Sequence, residues 1–198
     1  MRNIYIIIIQ LASVFVSANL QADEAKIYEN RMWGFKINAP AGWVITESQD
    51  FLKFIKEQNP SKDVSAVIEN SGLVVMISQY PLNNKSPFNP NISISAKHLE
   101  IDPKPQNEMQ MIDFAKNLLG KMFLGKQKFS EPQVVNINDL KGVRSDYPIN
   151  NGNLHLKGRL YILINQANGN YFIISTTTNE SDSSPRVADE SVRTIQKL

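Results

Sequence analysis

The segment from residue 132 to 178 constrains the fold more than any other part of the sequence. It contains four runs rich in β-branched and aromatic residues, separated by turn-forming residues. Asn-Gly pairs at 151–152 and 168–169 favour tight hairpin turns, because both residue types tolerate positive φ. A looser turn is predicted at 139–142. The segment therefore predicts a meander of four antiparallel strands.

Shorter runs upstream predict further strands. Residues 33–38 alternate between apolar and polar side chains, and residues 91–99 do the same. The run 72–80 is apolar on both faces, as is typical of a central strand. A turn at 71–72 would pair this run with residues 64–70 in a hairpin. These runs extend the predicted sheet towards the N-terminus.

The stretch GFKINAPAGWVITES, residues 34–48, reads as two strands joined by a turn. Pro40 at the second turn position and Gly42 at the fourth match the preferences of a type I turn. Phe35 lies on the apolar face of the first strand, and Trp43 begins the apolar face of the second. We interpret these residues as fold determinants, with Trp43 as a core anchor packed under a helix. The alternative is that Trp43 is an exposed stacking platform for a sugar or aromatic ligand.

Two segments have helical periodicity. Residues 107–124 place apolar side chains at spacings of three and four, and Asn107 with Gln110 would cap the start. Ser184 and Pro185 offer an N-cap and a first-turn proline to a last helix. The apolar side chains of that helix are Ala188, Val192 and Ile195. An antiparallel sheet with segregated helices indicates an α+β domain.

The first 22 residues have the layout of a secretory signal peptide. Arg2 precedes an apolar run at 4–16, and small residues follow it. Cleavage after Ala22 or after Ala18 satisfies the small-residue rule. The run is shorter than the ~20 residues that span a bilayer, and an uncleaved anchor is the alternative reading. We expect an exported chain, soluble in a bacterial periplasm or outside the cell, with residues 23–198 as a single domain.

Composition excludes several classes of function. The chain has no cysteine, so thiol catalysis and thiolate metal sites are excluded. Lys and Arg number 21 against 19 Asp and Glu, a balance too even for nucleic-acid binding. No hydrolase or metal-binding motif occurs, and the carboxylates lack the spacing of a calcium loop. We therefore expect no enzyme, no catalytic residue, no metal and no cofactor.

The chain has two histidines, His98 and His155. His98 shares the parity of an apolar strand face, and we interpret it as a core or edge histidine, with a ligand or base as the alternative. His155 shares the parity of Lys157 and Arg159, on a face predicted to be solvated. Neither histidine points to a reaction.

Residues 120–127, GKMFLGKQ, match the first part of a phosphate-binding loop. That motif needs Ser or Thr where Gln127 stands, because a hydroxyl there holds magnesium. It also needs a preceding strand, whereas this segment ends a predicted helix. Gly120 and Gly125 are better explained as helix termination. We therefore expect no nucleotide binding.

Two proline-bearing loops are candidate contact surfaces. One contains Pro87 and Phe88, and the other contains Pro103 and Pro105. Loops carry function more often than cores do, so we consider contact with a partner, with plain connection as the alternative.

The order of these features resembles the PsbP-like group, which includes the Mog1 proteins and the bacterial DcrB-like exported proteins. The residues that carry the resemblance are Tyr28, Gly34, Phe35, Pro40, Gly42 and Trp43. The resemblance implies a three-layer α/β/α sandwich around an antiparallel sheet, and a non-catalytic role in binding or assembling other proteins. The bacterial relatives are often lipoproteins, and this chain has no cysteine for lipid attachment.

Two functions from different classes follow. The first is an exported, non-catalytic accessory module of the bacterial cell envelope that binds a protein or an envelope component. The alternative is a small periplasmic ligand-binding protein or hydrolase with a site assembled from scattered polar residues. A filled interior between sheet and helices favours the first, and an apolar pocket with converging polar groups favours the second.

Overall fold

The computed structural model describes residues 25–58, 70–100, 104–123, 127–151 and 154–198. The strands are β1 Ile27–Asn30, β2 Phe35–Asn38, β3 Val44–Glu47, β4 Leu73–Ser78, β5 Asn91–His98, β6 Gln133–Ile137, β7 Leu140–Asn151, β8 Leu154–Asn165, β9 Asn170–Asn179 and β10 Gln196–Lys197. The helices are α1 Ser48–Glu57, α2 Glu108–Phe123 and α3 Ser184–Val192. The proposed signal peptide at 1–22, Pro103 and the predicted strand at 64–69 lie outside the described residues.

The strands form two antiparallel sheets. The large sheet has seven strands in the order β3-β4-β5-β9-β8-β7-β6, and the small sheet has three in the order β1-β2-β10. The small sheet and α3 cover one face of the large sheet, which we call the α3 face. Helices α1 and α2 cover the opposite face, which we call the α2 face. The predicted α+β sandwich is therefore confirmed.

The meander at 132–178 is also confirmed, because β6 to β9 pair consecutively. Its first turn differs from the prediction. Ile137 pairs directly with Leu140, so a two-residue turn of Asn138 and Asp139 replaces the looser turn at 139–142. Asn138 has φ +51, a left-handed conformation that Asn adopts more readily than most residues. Its amide donates to the Ile195 carbonyl at 2.6 Å, which ties the hairpin to the end of α3.

The predicted hairpin of β2 and β3 is wrong. Strand β2 pairs with β1 and β10 in the small sheet, whereas β3 pairs with β4 in the large one. The turn between them spans 40–43, where the Trp43 amide donates to the Pro40 carbonyl at 3.0 Å. Gly42 is then the third turn residue, and its φ of +75 fits type II rather than the predicted type I. The turn therefore carries the chain from one sheet to the other.

Helix α1 is a second difference, because no helix was predicted after β3. Phe51 and Ile55, four residues apart, are buried against Met76 of β4. Strand β4 has β3 and β5 as its neighbours, so its two edges are occupied. The hairpin partner predicted at 64–70 lies, apart from Asn70, outside the described residues.

The other two helices lie where their periodicity predicted. In α2, the Asn107 side-chain oxygen accepts a hydrogen bond from the Gln110 backbone N–H at 2.9 Å, which confirms the predicted cap. In α3, Ser184 is the first helical residue rather than the N-cap, and its hydroxyl accepts from the Asn179 amide. Ile195 lies beyond the end of α3 but is fully buried. No helix in the described part of the chain is long and apolar enough to cross a membrane.

Candidate functional site

A polar strip interrupts the α2 face of the large sheet. Ser93 and Ser95 of β5 point to this face, while their neighbours Ile92 and Ile94 belong to the core on the α3 face. Ser93 lies opposite Ser175 of β9. These three serines, which we call the serine strip, lie between the apolar cluster under α1 and the larger one under α2. The strip is therefore a boundary between two separately packed helices.

A crevice of about 90 Å³ runs over the serine strip. Its apolar wall comes from α2 and β9, and Lys97 lies along it, with its ammonium donating to the Asn70 carbonyl at 3.2 Å. The residues that line it are Ser71, Leu73, Ser93, Ser95, Lys97, Leu118, Met122, Phe123, Leu160, Tyr171, Ile173 and Ser175. Ligand pockets typically measure about 300 to 1,000 Å³, so the crevice has room for little beyond a few water-sized groups.

Two hydroxyls of the strip have partners, one a backbone carbonyl within the strip and the other a tyrosine hydroxyl. Ser93 Oγ lies 3.5 Å from the Ser175 carbonyl oxygen, and Ser175 Oγ lies 3.0 Å from the Tyr147 hydroxyl. Burial raises the pKa of Tyr147 to about 12, so the phenol stays protonated. Among the described residues, no histidine, lysine or carboxylate is hydrogen bonded to Ser93, Ser95 or Ser175. A serine nucleophile is activated by such a base, and the described residues place none beside these serines.

The α3 face carries a charged cluster where β8 and β7 pass beyond α3. Arg159 Nε donates to Asp146 at 2.6 Å, and its Nη1 donates to Asp189 of α3. The Tyr161 hydroxyl donates to the other oxygen of Asp189 at 3.0 Å, and Lys157 lies 3.3 Å from Asp146. The Arg159 side chain is only 16% exposed, so the face predicted to be solvated is in fact half covered here.

The pKa values in this cluster follow from its contacts. Burial opposes ionisation of Asp146, but the hydrogen bond and charge of Arg159, with help from Lys157, hold the pKa of its carboxyl below the usual value. The hydrogen bond to Asp146 raises the pKa of Arg159, although burial acts against it. Burial and the nearby Asp189 charge raise the pKa of Tyr161 to about 12. Arg159 is thus a fixed cation between two carboxylates, which ties α3 to the sheet.

A concavity of about 330 Å³ lies next to this cluster, beside strand β6. Arg144 Nη2 donates to Gln133 Oε1 at 2.5 Å across the β6–β7 pair. Arg193, just beyond the end of α3, is exposed, and its side chain has no partner among the described residues. The lining residues are Val135, Asn136, Ile137, Asn138, Arg144, Tyr161 and Arg193. Two arginines and no carboxylate therefore line this concavity.

Strand β6 is the outermost strand of the large sheet, and its outer edge has no neighbour in the described chain. A two-residue turn makes Ile137 and Leu140 a hydrogen-bonded pair, and such pairs alternate along an antiparallel ladder. Gln133, Val135 and Ile137 therefore bond to β7. The backbone groups of Val134 and Asn136 point away from the sheet and are free to pair.

Of the residues singled out around the first turn, Phe35 and Trp43 lie in the core, Pro40 is half-buried and Gly42 is exposed. Phe35 is fully buried, and Trp43 is 7% exposed, in the same cluster as Ala188 and Val192 of α3. A Cβ built on Gly42 meets no atom within 4 Å, so the position is open in space but restricted in φ. Pro40 supplies the carbonyl that closes the turn.

The two predicted contact loops expose less than their sequences suggested. Phe88 is buried in the cluster under α2, and Pro105 is buried with its carbonyl accepting from the Gln166 amide at 2.9 Å. Pro87 is exposed. Contact between either loop and a partner stays a prediction. Of Pro87 and Phe88 in the first loop, only Pro87 is accessible to such a partner.

The remaining sequence candidates are separated in space. His98 lies exposed at the end of β5 with its ring 5.3 Å from that of Trp33, and His155 lies on β8. Within the described residues, no group of three His, Asp or Glu side chains is placed to hold a metal ion. Gly120 lies inside α2, and Gln127 donates to the Pro148 carbonyl at 2.9 Å. Residues 124–126 of the loop-like motif lie outside the described chain.

No feature of the sequence predicted the concavity beside β6. Arg144 and Arg193 lie far apart in the chain and meet only because β7 continues the β6 hairpin and Asn138 binds the end of α3. The neighbouring charged cluster, in contrast, did have a signal in the sequence, because Arg159 has the parity of the core residues Tyr161 and Leu163. A charged side chain on a core-facing row indicates an ion pair at the margin of the core.

Comparison with solved structures places this fold among known ones. A protein from Bacteroides thetaiotaomicron VPI-5482 has a TM-score of 0.51 and 14% identity, over 88% of this chain and 48% of that one. The chain thus spans about half the length of that protein. The Saccharomyces cerevisiae Ran-binding protein Mog1p has a TM-score of 0.48 and 10% identity, over 89% of this chain and 96% of that one.

The similarity to the Bacteroides protein shows the fold alone, because the two sequences are only 14% identical. Mog1p is among the structural neighbours, but a TM-score below 0.5 adds no argument about function. No protein-family model matches the sequence, and no curated protein matches it either.

Proposed function

We propose that this chain is an exported, non-catalytic module that binds another protein or a component of the bacterial cell envelope. The observation that carries the proposal is the filled interior between the large sheet and its helices. Both faces hold closely packed apolar clusters, and the crevice over the serine strip measures only about 90 Å³. A module without an internal site binds through its surface.

The alternative of a small-ligand protein or hydrolase has less support. Its natural location is the serine strip, where scattered polar residues do come together. The crevice there is well below the volume of ordinary ligand pockets, and its serines bond to one another and to Tyr147 rather than to a base. Export is supported by the arrangement of Arg2 and the apolar run at 4–16.

Site-directed photo-crosslinking in the native cells tests the proposal. A photoreactive residue replaces Asn136 on β6, Pro87 on the first loop or Met32 in the turn after β1, and Lys53 on the outer face of α1 serves as the reference position. We expect a discrete adduct of protein or envelope component from at least one of the three positions, and none from Lys53. The absence of any adduct from all three would overturn the proposal.

The location of the adduct tests export separately. Fractionation should find the crosslinked chain in the periplasm or the medium, beginning at Asp23 or Asn19. Full-length chain in the cytosol or in the integral membrane fraction would contradict export and leave the binding result to stand on its own.

A further inference from the structure

We propose that the open edge of β6 binds an extended acidic segment of a partner protein as an additional strand. This inference rests on the proposed function and names the surface and the chemistry of the partner. Its three supports are the unpaired backbone of β6, the lack of protection along that edge, and the two arginines beside it.

The backbone of β6 offers a place for a strand. The N–H and C=O groups of Val134 and Asn136 point away from β7, and no described residue bonds to them. A partner in extended conformation would complete this ladder, as happens when peptides add a strand to a sheet edge. Main-chain pairing of that kind is independent of the partner's side chains.

Edge strands are normally protected, and β6 is not. Charged residues, prolines and very short strands are the usual protection against edge pairing. Strand β1 carries Glu29, β3 ends in Glu47, and β10 has only two residues. Strand β6 reads Gln-Val-Val-Asn-Ile, five residues without a charge or a proline. Among the edges of the two sheets, β6 is therefore the one best suited to pairing.

The charges around β6 select an acidic segment. Arg144 and Arg193 line the concavity on the α3 face of the edge, and Lys141 lies opposite Asn136 on β7. Carboxylates around this edge already have cationic neighbours: Glu131 lies 3.0 Å from Lys116, Asp139 lies 4.0 Å from Lys197, and Asp189 binds Arg159. Arg144 donates only to the neutral Gln133, and Arg193 has no side-chain partner, so no carboxylate of the described chain neutralises either arginine. A basic partner would be repelled by both.

The alternation of strand side chains defines the segment further. Every second residue of an added strand would point to the α3 face, towards Arg144 and Arg193, and the rest to the α2 face beside the partly buried Val134. Acidic residues in the first set and apolar residues in the second fit both surroundings. The partner segment is therefore expected to alternate between acidic and β-branched residues.

A peptide titration tests the inference with the mature chain in solution. The probe is a fluorescent, end-capped peptide that alternates Glu and Val, followed by anisotropy at low ionic strength. One control alternates Lys and Val. A second has the Glu-Val sequence with an N-methyl group on every backbone amide, which removes the N–H donors of both edges without changing charge. We expect both controls to bind about tenfold or more weakly than the probe.

Variants of the protein locate the binding. Arg193→Glu should lower the affinity for the Glu-Val peptide by about tenfold. Lys53→Glu makes the same change of charge on the distant α1, and the affinity of this variant should stay within about twofold of the parent. Asn136→Pro removes one outward N–H, and edge strands tolerate proline at such positions. This variant should also bind the Glu-Val peptide more weakly. Circular dichroism shows whether the Asn136→Pro chain folds. Should it not fold, Arg193→Glu and the methylated peptide decide the question alone.

Three results would overturn the inference. The first is equal affinity for the Glu-Val and Lys-Val peptides, and the second is equal affinity for the methylated peptide. The third is a dimer of the chain that Asn136→Pro converts to monomer, because a second copy would then occupy the edge. Adducts at Pro87 or Met32 that persist in the Arg193→Glu chain would leave the binding function intact and reject only its location at β6.

Discussion

The α3 face of the large sheet has two regions that differ in composition. In its centre, Phe172 and Ile174 of β9 pack with Phe35 and Trp43 in a continuous apolar core. At its rim, the same face of β8 and β7 carries Arg159, Asp146 and Arg144. Strand alternation directs both sets of side chains to one side. Their difference arises from the cover, because α3 packs mainly on β9 and β2 rather than on the outer strands of the large sheet.

This comparison separates residues that hold the fold from residues that are available to a partner. A substitution in the centre empties a packed site, whereas a substitution at the rim changes hydrogen bonds or charge at a partly wet surface. We expect the free energy of unfolding to respond strongly to the first kind and progressively less to the second. The following variants test this ordering.

Trp43→Ala should have the largest effect. Trp43 is 7% exposed in the central cluster, and emptying a large aromatic site costs roughly 3 to 5 kcal/mol. Urea unfolding of the mature chain measures this difference. Trp33→Ala is the matched control, since that ring is only partly buried and contacts His98, and it should cost clearly less. A Trp43→Ala chain that unfolds like the parent but loses a ligand would show that Trp43 belongs to a binding site.

Arg159→Met should have the next largest effect, at the inner margin of the rim. The change leaves Asp146 and Asp189 without their shared cation, and loss of one partner from a partly buried network costs about 1 to 3 kcal/mol. Arg186→Met provides the control, because its ion pair with Glu190 is well exposed and should be worth less than about 1 kcal/mol. Equal costs in the same unfolding assay would mean that the rim cluster is no more structural than an ordinary surface pair.

Gly42→Val should have an intermediate effect that acts through the backbone. A Cβ at this position meets no atom, so the cost is that of a left-handed φ for a branched residue, about 1 to 2 kcal/mol. Gly42→Asn should cost less, because Asn tolerates this conformation. Unfolding free energies that fail to separate the two variants would show that φ at Gly42 does not position Trp43.

The fold was predictable where periodicity is local. The β6–β9 meander and α2 follow from alternation and from spacings of three and four. Helix α1 was missed although Phe51 and Ile55 have helical spacing, because a ten-residue segment is stable only through its packing on Met76. The pairing of β2 with β10 joins opposite ends of the chain, and no local signal predicts such a contact.

The candidate site was less predictable than the fold. Its arginines come from β7 and from the residue after α3, and the Asn138 turn brings them together. The proline loops looked more promising, yet Phe88 and Pro105 turned out to be buried. A hydrophobic residue in a predicted loop can be packed in the core or exposed for contact with a partner, and only the fold distinguishes the two.

A dependence on pH should be a smaller effect of the rim cluster. The pKa of Asp146 is lowered in the folded chain, so its ionised form stabilises the fold at pH values above the unfolded pKa of about 4. That contribution is lost as the pH falls through the lower folded value. Asp146→Asn removes the titrating group, and its free energy of unfolding should therefore fall less steeply than that of the parent below about pH 4. An equally steep fall in the free energy of unfolding for Asp146→Asn and the parent over this pH range would contradict this assignment.

Arg193→Glu should have the smallest effect on stability, and it separates scaffold from surface most sharply. The side chain is exposed and has no partner in the described chain, so reversing its charge should change the free energy of unfolding by less than about 0.5 kcal/mol. The same variant should nevertheless lose most of its affinity for the Glu-Val peptide, because the concavity would keep only Arg144. Urea unfolding and peptide titration on one preparation measure both quantities. A loss of stability comparable to that of Arg159→Met would contradict this prediction. Arg193 would then stabilise the end of α3 and would not be a residue available for binding a partner.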